Sequence, residues 1–146
     1  MQGLKRKIVY VSLYEIIAIV CSTWGLAAMS GHGLADSGGV AVAASCIAIV
    51  WNLIFNTLFE AWEARQRVRG RSVARRVAHA IGFEGGLIAA LVPLMAWWFG
   101  ISLLQALLLD LGLVLFFLIY TFVFSWCFDR VFGLPASAMG DPVRGV

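Results

Sequence analysis

The chain is organised around Arg76-Val-Ala-His79-Ala-Ile-Gly-Phe83-Glu84-Gly-Gly86, which places a carboxylate inside a long apolar segment directly after a dense basic run. Near the N-terminus the same layout recurs in Lys7-Ile-Val-Tyr10-Val-Ser-Leu-Tyr14-Glu15, with Glu15 at the position of Glu84. An ionisable side chain at this depth in a membrane helix costs about 2.5–3.5 kcal/mol to insert, so it is a functional-site hypothesis by default. Glu15 and Glu84 are therefore the first candidate site residues.

The composition indicates one small integral membrane protein. Of its 146 residues, 62% are apolar and 13% are charged, whereas soluble domains are about half apolar and about a quarter charged. Four apolar runs reach the roughly 20 residues that span a bilayer, and we predict helices near 8–29, 40–61, 77–99 and 103–126. A loop rich in turn residues is expected between the first two helices, and a tight turn between the last two.

The positions of the basic residues predict the orientation. All 11 lysines and arginines precede the first apolar run, lie between the second and third, or follow the fourth. None falls in the other two loops. The positive-inside rule therefore places both termini and the middle loop in the cytoplasm. Because topology accounts for the arginine run, no nucleic-acid partner is expected.

The chain also repeats itself at a constant interval, the one that separates Glu15 from Glu84, which we call the repeat interval. The pairs that it matches are Arg6 with Arg75, Tyr14 with Phe83, Glu15 with Glu84, Trp51 with Tyr120, Phe55 with Phe124, Phe59 with Phe128, and Glu60 with Asp129. Each repeat holds two helices, so the halves share one orientation and are related by an axis along the membrane normal. We predict an all-α membrane protein of four transmembrane helices in two parallel two-helix repeats, residues 1–69 and 70–146.

Helix two carries two lines of side chains that run to its cytoplasmic end. The polar line is Asn52, Asn56 and Glu60, and the aromatic line is Trp51, Phe55 and Phe59. Helix four reproduces both lines with Thr121, Ser125 and Asp129, and with Tyr120, Phe124 and Phe128. Such side chains often only hold helices together through hydrogen bonds or packing. Flat rings near a carboxylate also suit a hydrophobic cation.

Several acidic residues have structural alternatives to a site role. Glu60 and Asp129 lie at cytoplasmic helix ends, where we expect them to be solvated or paired with arginines such as Arg65 or Arg130. Asp110 lies near the outer boundary and is either a polar exit group or an interfacial residue. A structural ion pair is the alternative for Glu15 and Glu84.

Helix three adds two features near its glutamate. Ala78, Gly82 and Gly86 recur every four residues and predict a small-residue face for close helix contact. At 100° per residue, Glu84 points about 200° away from the centre of that face, so it does not compete with the packing seam. His79, beside Arg76, is either structural or part of a proton relay.

The chemistry of a buried carboxyl group follows from desolvation. Low dielectric favours its neutral form, while an arriving cation favours the ionised form, so a proton and a cation compete for one site. If access alternates between the two sides of the membrane, that competition produces proton/cation antiport. The sequence shows no nucleophile–base pair, metal cluster or glycine-rich phosphate loop, so we expect neither an enzyme nor a bound cofactor or metal.

Two motifs carry a resemblance to a known family. Arg76-x-x-His79-Ala-x-x-Phe83-Glu84 and Trp51-Asn52-x-x-Phe55-Asn56-x-x-Phe59-Glu60 resemble the signature motifs of the proteobacterial antimicrobial compound efflux (PACE) transporters, which are built from two tandem bacterial transmembrane pair domains. Leu108-Leu-Asp110-Leu-Gly and Tyr120-Thr-Phe-Val-Phe124-Ser-Trp-Cys-Phe128-Asp129 fit the fourth helix of the same family. The resemblance covers about residues 5–135.

The resemblance implies four helices in the bacterial inner membrane and proton-driven export of cationic biocides such as chlorhexidine. Acriflavine, proflavine and benzalkonium are substrates of some members, and short-chain diamines are suggested as native cargo. The family's first-helix glutamate, linked to proton coupling, falls on Glu15. The chain departs from the family at Lys7 and Tyr10, where arginine and histidine are common, and at Ser125, where an amide is common.

Our leading hypothesis is an antiporter of lipophilic organic cations with Glu15 as the shared proton and cation site. The residues expected to shape its cavity are Glu84, Trp51, Asn52, Asn56 and Tyr120, and the candidate coupling or gating residues are His79, Arg76, Glu60, Asp129 and Asp110. The expected partners are small cationic substrates, protons and the lipid bilayer; because four helices leave little internal room, a homodimer is compatible. Two alternatives stay open: an exporter of the small-multidrug-resistance type, and a non-transporting membrane subunit with structural glutamates.

Overall fold

The computed structural model describes residues 3–68, 70 and 72–134. This part of the chain forms four α-helices without a strand: α1 (Gly3–Ser30), α2 (Leu34–Ala64), α3 (Val73–Phe99) and α4 (Leu103–Phe132). Each is long and apolar enough to cross a membrane. In lipid, where no water satisfies the backbone, a helix pairs its own amides and carbonyls. The predicted all-α class with four spanning helices is confirmed.

The predicted loop over residues 30–39 is wrong. Only residues 31–33 separate α1 from α2, and the turn residues after Leu34 are helical. Gly39 is one of them, and its role is close packing, because a Cβ there would lie 2.6 Å from the indole of Trp98 in α3. The helix is also favoured by Asp36, whose charge complements the first turn. At the other end, α4 continues to Phe132, beyond the predicted residue 126.

Both repeats end their first helix in the same way. Gly31 follows α1 with a φ of +72°, and Gly100 follows α3 with a φ of +63°. This left-handed conformation suits glycine and lets the chain reverse within a few residues. The repeat interval carries one glycine onto the other, so the sequence repeat extends to the backbone of the turns.

The four helices form a ring in which each packs against its chain neighbours and α1 also packs against α4. Two of these contacts join the repeats: we call α1–α4 the first interface and α2–α3 the second interface. The cations of the described residues all lie at one end of the ring, which we call the basic end; they include Arg6, Arg75 and Arg130. The opposite end, with the turns at 31–33 and 100–102, is the hairpin end.

The apolar core fills the hairpin half of the ring. Its buried members are Leu26, Val40, Ala41, Leu91, Val92, Met95, Phe99, Ala106, Leu109 and Leu113. The large apolar side chains on the outside of the helices are exposed, as they would be against lipid. Polar and aromatic side chains therefore meet mainly between the core and the basic end, and this is where the candidate residues lie.

Candidate functional site

The second interface contains a chain of hydrogen bonds between α2 and α3. The His79 Nε2 atom lies 2.7 Å from the Asn56 Oδ1 atom, and the Asn56 amide nitrogen donates to the Asn52 Oδ1 atom at 2.7 Å. Next to this chain, the Trp51 indole N–H donates to the backbone carbonyl of Phe83 at 2.9 Å. Four predicted site residues are thus brought together, and they tie α2 to α3.

The predicted small-residue face of α3 makes this interface close. A Cβ at Gly82 would lie 2.8 Å from the ring of Phe55, and a Cβ at Gly86 would overlap the indole of Trp51. The prediction of close helix contact is confirmed at both glycines. The aromatic line of α2 is thereby pressed against the backbone of α3.

The first interface contains a network of hydroxyl groups between α1 and α4. The Tyr10 hydroxyl lies 2.7 Å from the Ser125 hydroxyl, and the Tyr14 hydroxyl lies 2.8 Å from that of Thr121. The Tyr120 hydroxyl donates to the backbone carbonyl of Tyr14 at 2.9 Å. Tyr120 therefore lies apart from Trp51 and its neighbours, in the other interface.

The two networks occupy equivalent positions in the two repeats. The repeat interval carries Tyr10 onto His79 and Asn56 onto Ser125, so the two side-chain bonds correspond. It likewise carries the bond from Trp51 to a backbone carbonyl onto the bond from Tyr120. The same backbone register therefore supports two different chemistries, hydroxyl groups in one interface and an imidazole with amides in the other.

Aromatic rings surround the central residue of each network. The His79 ring lies edge-on to Phe55 at 5.1 Å and to Phe59 at 4.8 Å, and it is parallel to Phe83 at 6.2 Å. An aromatic wall of this kind is apolar yet attracts positive charge.

In the first interface the ring of Tyr14, the equivalent of Phe83, lies 5.0 Å from Tyr120 and 5.3 Å from Phe124. The first interface therefore offers the same kind of wall beside Glu15.

The two glutamates lie half-buried on inward faces at equivalent depths. Glu15 continues the face of α1 that carries the buried residues Ala18 and Leu26, and its carboxylate is close enough to act electrostatically on Tyr14 and Tyr120. Neither Glu15 nor Glu84 has a hydrogen-bond or cationic partner among residues 3–68, 70 and 72–134. The alternative of a structural ion pair is not observed for either glutamate in this part of the chain.

An ion pair does close the first interface at the basic end. An Arg6 amino group lies 2.5 Å from the Asp129 Oδ1 atom and its other amino group donates to the backbone carbonyl of Gly133 at 2.6 Å. The guanidinium also lies 5.0 Å from the centre of the Phe128 ring. Arg6 is thus a functional candidate that the sequence comparison matched to Arg75 without assigning it a role.

Asp129 was expected to be solvated or paired with an arginine such as Arg130; it is paired with an arginine, but not with Arg130. Adjacent residues on a helix point about 100° apart, and Arg130 instead lies over the ring of Trp126 at 5.6 Å. Asp129 does pair with an arginine, but the partner comes from α1.

The second interface has no such closure within the described residues. Arg75, the equivalent of Arg6, donates to the backbone carbonyls of Gly70 and Val68 at 2.8 Å each. Glu60, the equivalent of Asp129, is exposed and has no hydrogen-bond or ionic partner in the described part of the chain, as expected for a solvated carboxylate. Arg76, a gating candidate, is exposed at the start of α3.

Asp110 is the most deeply buried of the candidates. The sequence left it either as an exit group or as an interfacial residue, but the structure buries it within the core with only 2% of its surface exposed. The carboxylate of Glu84 is close enough to act on it electrostatically. Glu84 and Asp110 therefore lie within electrostatic range of each other, on the neighbouring helices α3 and α4. Among the described residues, no three histidine, cysteine or acidic side chains are placed to hold a metal ion.

The sequence analysis did not identify Tyr10 and Tyr14 of α1 as members of the hydrogen-bond network in the first interface. The signal was present, since the repeat interval places Tyr10 at the position of the candidate His79 and Tyr14 at that of Phe83.

Comparisons with known proteins all match this chain to transporters. A family model described as chlorhexidine efflux transporter matches residues 2–65 and again residues 71–134. A short-chain diamines transporter of Acinetobacter baylyi is 37% identical over 127 residues, covering 87% of this chain and 89% of that protein. A short-chain diamines transporter of Vibrio parahaemolyticus is 38% identical over 126 residues, covering 86% and 89%. No solved structure gives a significant match.

Proposed function

This chain belongs to the chlorhexidine efflux transporter family, and from that premise we propose that it exports organic cations in exchange for protons. It is a multi-pass protein of the bacterial inner membrane and a transporter rather than an enzyme. The observation that carries the proposal of proton exchange is Glu15, a half-buried carboxylate without a cationic partner in the described residues, beside a wall of aromatic rings.

The exchange follows from competition for the Glu15 carboxyl group. A cation that reaches the wall of Tyr14, Tyr120 and Phe124 is attracted by the ionised carboxylate of Glu15, so the cation and the proton compete for the same group. Export is driven if the cation enters from the cytoplasm and protons enter from the opposite side. The hydroxyl networks hold the wall in place, because Tyr120 is anchored to the backbone of Tyr14.

The second interface provides the rest of the path that the cation and the protons take through the protein. Trp51, Asn52 and Asn56 shape its cavity, Glu84 lies on the core side of α3, and the proton carrier is His79, which its bond to Asn56 holds in place. We propose that the basic end faces the cytoplasm, because the described cations lie there and cytoplasmic ends of membrane proteins are enriched in lysine and arginine. The ion pair of Arg6 and Asp129 then closes the first interface on the cytoplasmic side.

The substrates we propose are lipophilic cations of the chlorhexidine type and short-chain diamines. The first class is the one that the family description states, and the second is the one that the relatives' names state. Membership of this family favours the proposal over an exporter of the small-multidrug-resistance type and over a non-transporting subunit.

We also propose that two copies of this chain associate as a homodimer. Asn52 and Thr121 are exposed on the outside of the ring, in the middle of apolar helices. Each already bonds one side chain, Asn56 or Tyr14, but polar side chains in contact with lipid are unfavourable, and a second copy that covers them would remove that exposure. The molecular mass of the purified protein in detergent tests this, with a monomer mass for Asn52→Leu as the expected result and an unchanged mass as the contradicting one.

The exchange itself is tested in proteoliposomes that contain an internal pH dye. Addition of chlorhexidine or of 1,5-diaminopentane should move protons across the membrane with the wild-type protein and not with Glu15→Gln. Asp36→Asn, the same kind of change at an exposed carboxylate of the hairpin end, is the control and should retain the movement. Equal proton movement in a folded Glu15→Gln protein would contradict the role of Glu15, and none with the wild-type protein would contradict antiport.

A further inference from the structure

The carboxyl group of Asp110 is buried without a full set of partners. Its Oδ2 atom has no hydrogen-bond partner within the described ranges, although the side chain is only 2% exposed. Its neighbours on the same face of α4 are Ala106, Leu109 and Leu113, all buried. An ionised carboxylate in such surroundings is strongly destabilising unless a cation accompanies it. The group must therefore either hold a proton or receive a positively charged ligand.

Glu84 lies on the facing side of the α3–α4 contact. It stands three and seven residues before Leu87 and Leu91, so it extends the face of α3 that packs into the same core as Leu109. Its charge acts on Asp110. Two carboxyl groups on the neighbouring helices α3 and α4 thus face the same core, one half-buried and one fully buried.

A further buried oxygen lies at the depth of Asp110. Ser22 of α1 is 5% exposed, and its hydroxyl has no partner within the described residues. Ser22 stands eight residues before the end of α1 and Asp110 seven residues after the start of α4. At 1.5 Å per residue, both lie about 10–12 Å from the hairpin end of their helices. An ammonium group has three donors, which would satisfy such unpaired oxygens.

The first repeat lacks this second carboxylate. The equivalent of Asp110 is Ala41, which is buried at 3% exposure within the same core. At these two matched positions the first repeat therefore has one carboxylate, Glu15, whereas the second repeat has two, Glu84 and Asp110. This difference in charge between otherwise matched positions points to a ligand that carries two positive charges.

We propose that Glu84 and Asp110 form a subsite for both ammonium groups of a short-chain diamine, with Asp110 binding the deeper one. The inference rests on the proposed export of organic cations and names the subsite that recognises one class of them. In low dielectric each ammonium group needs its own counter-charge. A monoamine of the same length meets only one of the two carboxylates, so it leaves the other without a partner.

Calorimetric binding of 1,5-diaminopentane and of pentylamine to the purified protein tests this subsite. The wild-type protein should bind the diamine about tenfold more tightly than the monoamine, the gain expected from one more hydrogen bond between charged groups. Asp110→Asn should remove this preference and retain pentylamine binding, whereas the control Asp36→Asn should retain the preference. The amide removes an unpartnered buried charge, so folding is expected to persist; Glu84→Gln is the second variant and should also remove the preference.

The outcomes separate this inference from the proposed function. A preference that persists in both Asp110→Asn and Glu84→Gln overturns the subsite. So does equal binding of the two amines by a wild-type protein that still exchanges protons for cations in proteoliposomes, and in that case the proposed function stands. If the wild-type protein neither binds these amines nor moves protons with any cation, the result contradicts both the subsite and the proposed function.

Discussion

The first and second interfaces occupy equivalent positions yet hold their helices together by different means. In the second, glycines let the rings of α2 reach the backbone of α3, and an imidazole bonds an amide. In the first, tyrosine hydroxyls bond hydroxyl groups, and an ion pair closes the basic end. The difference shows that the repeat keeps the places where contacts are made while leaving their chemistry free. The first interface is therefore closed at its basic end by an ion pair beside the wall that adjoins Glu15, whereas the second is held by an imidazole–amide pair.

The largest expected effect concerns the close packing of the second interface. Gly86→Ala would push a methyl group into the indole of Trp51, and overpacking of this kind costs about 1–3 kcal/mol. The neighbouring change Gly85→Ala meets no atom within 4 Å and is the matched control. Thermal unfolding in detergent should show a lower Tm for Gly86→Ala alone. Equal behaviour of the two variants would show that the glycine face is not a packing seam.

The next effect concerns the ion pair that closes the first interface. Arg6→Gln should lower the free energy of unfolding by about 1.5 kcal/mol, because it removes hydrogen bonds between charged groups at a nearly buried guanidinium. Arg75→Gln should have a smaller effect, since Arg75 bonds exposed loop carbonyls.

A double-mutant cycle of Arg6→Gln with Asp129→Asn measures the pair directly. Strict additivity of the two changes would contradict the closure of the first interface.

A third test converts one interface into the chemistry of the other. Tyr10→His or Ser125→Asn alone should cost about 0.5–1.5 kcal/mol by breaking the hydroxyl pair. The double variant recreates the pair seen at His79 and Asn56, so it should recover most of the lost stability. A double variant that is as unstable as the sum of the single changes would show that the two positions are not equivalent.

The smallest effect is expected for Tyr14→Phe. It removes the bond to the exposed Thr121 hydroxyl, but the equivalent residue Phe83 shows that a phenylalanine fits there. We expect a loss of about 0.5 kcal/mol in unfolding free energy, with the ring contact to Tyr120 preserved. A loss as large as that of Gly86→Ala would mean that this hydroxyl group holds the interface.

Much of this architecture could be predicted from sequence because a chain in lipid must satisfy its backbone hydrogen bonds internally, and few folds do so. Long apolar runs must be helices, and the repeat interval aligns Glu15 with Glu84 and Trp51 with Tyr120 before any contact is known. The pair of His79 and Asn56 was not predicted as a contact, although both residues were candidates.

Other features were beyond prediction for physical reasons. The ion pair of Arg6 and Asp129 joins residues that are far apart in the chain and depends on how α1 meets α4. The burial of Asp110 was hidden because α4 is apolar on all sides, so its periodicity does not separate the lipid face from the core face. The helical start of α2 at Leu34 was hidden by glycines that serve packing rather than turning.

The proposed exchange depends on competition between a proton and a cation for the carboxyl group of Glu15. It is tested most directly by measuring proton release when a cation binds to the purified protein without any gradient, from binding heats in buffers of different ionisation enthalpy. We expect release of about one proton per bound chlorhexidine in the wild-type protein, as linkage requires when binding ionises one group, and loss of that release in Glu15→Gln. Binding without proton release, or the same release from a folded Glu15→Gln protein, would contradict it.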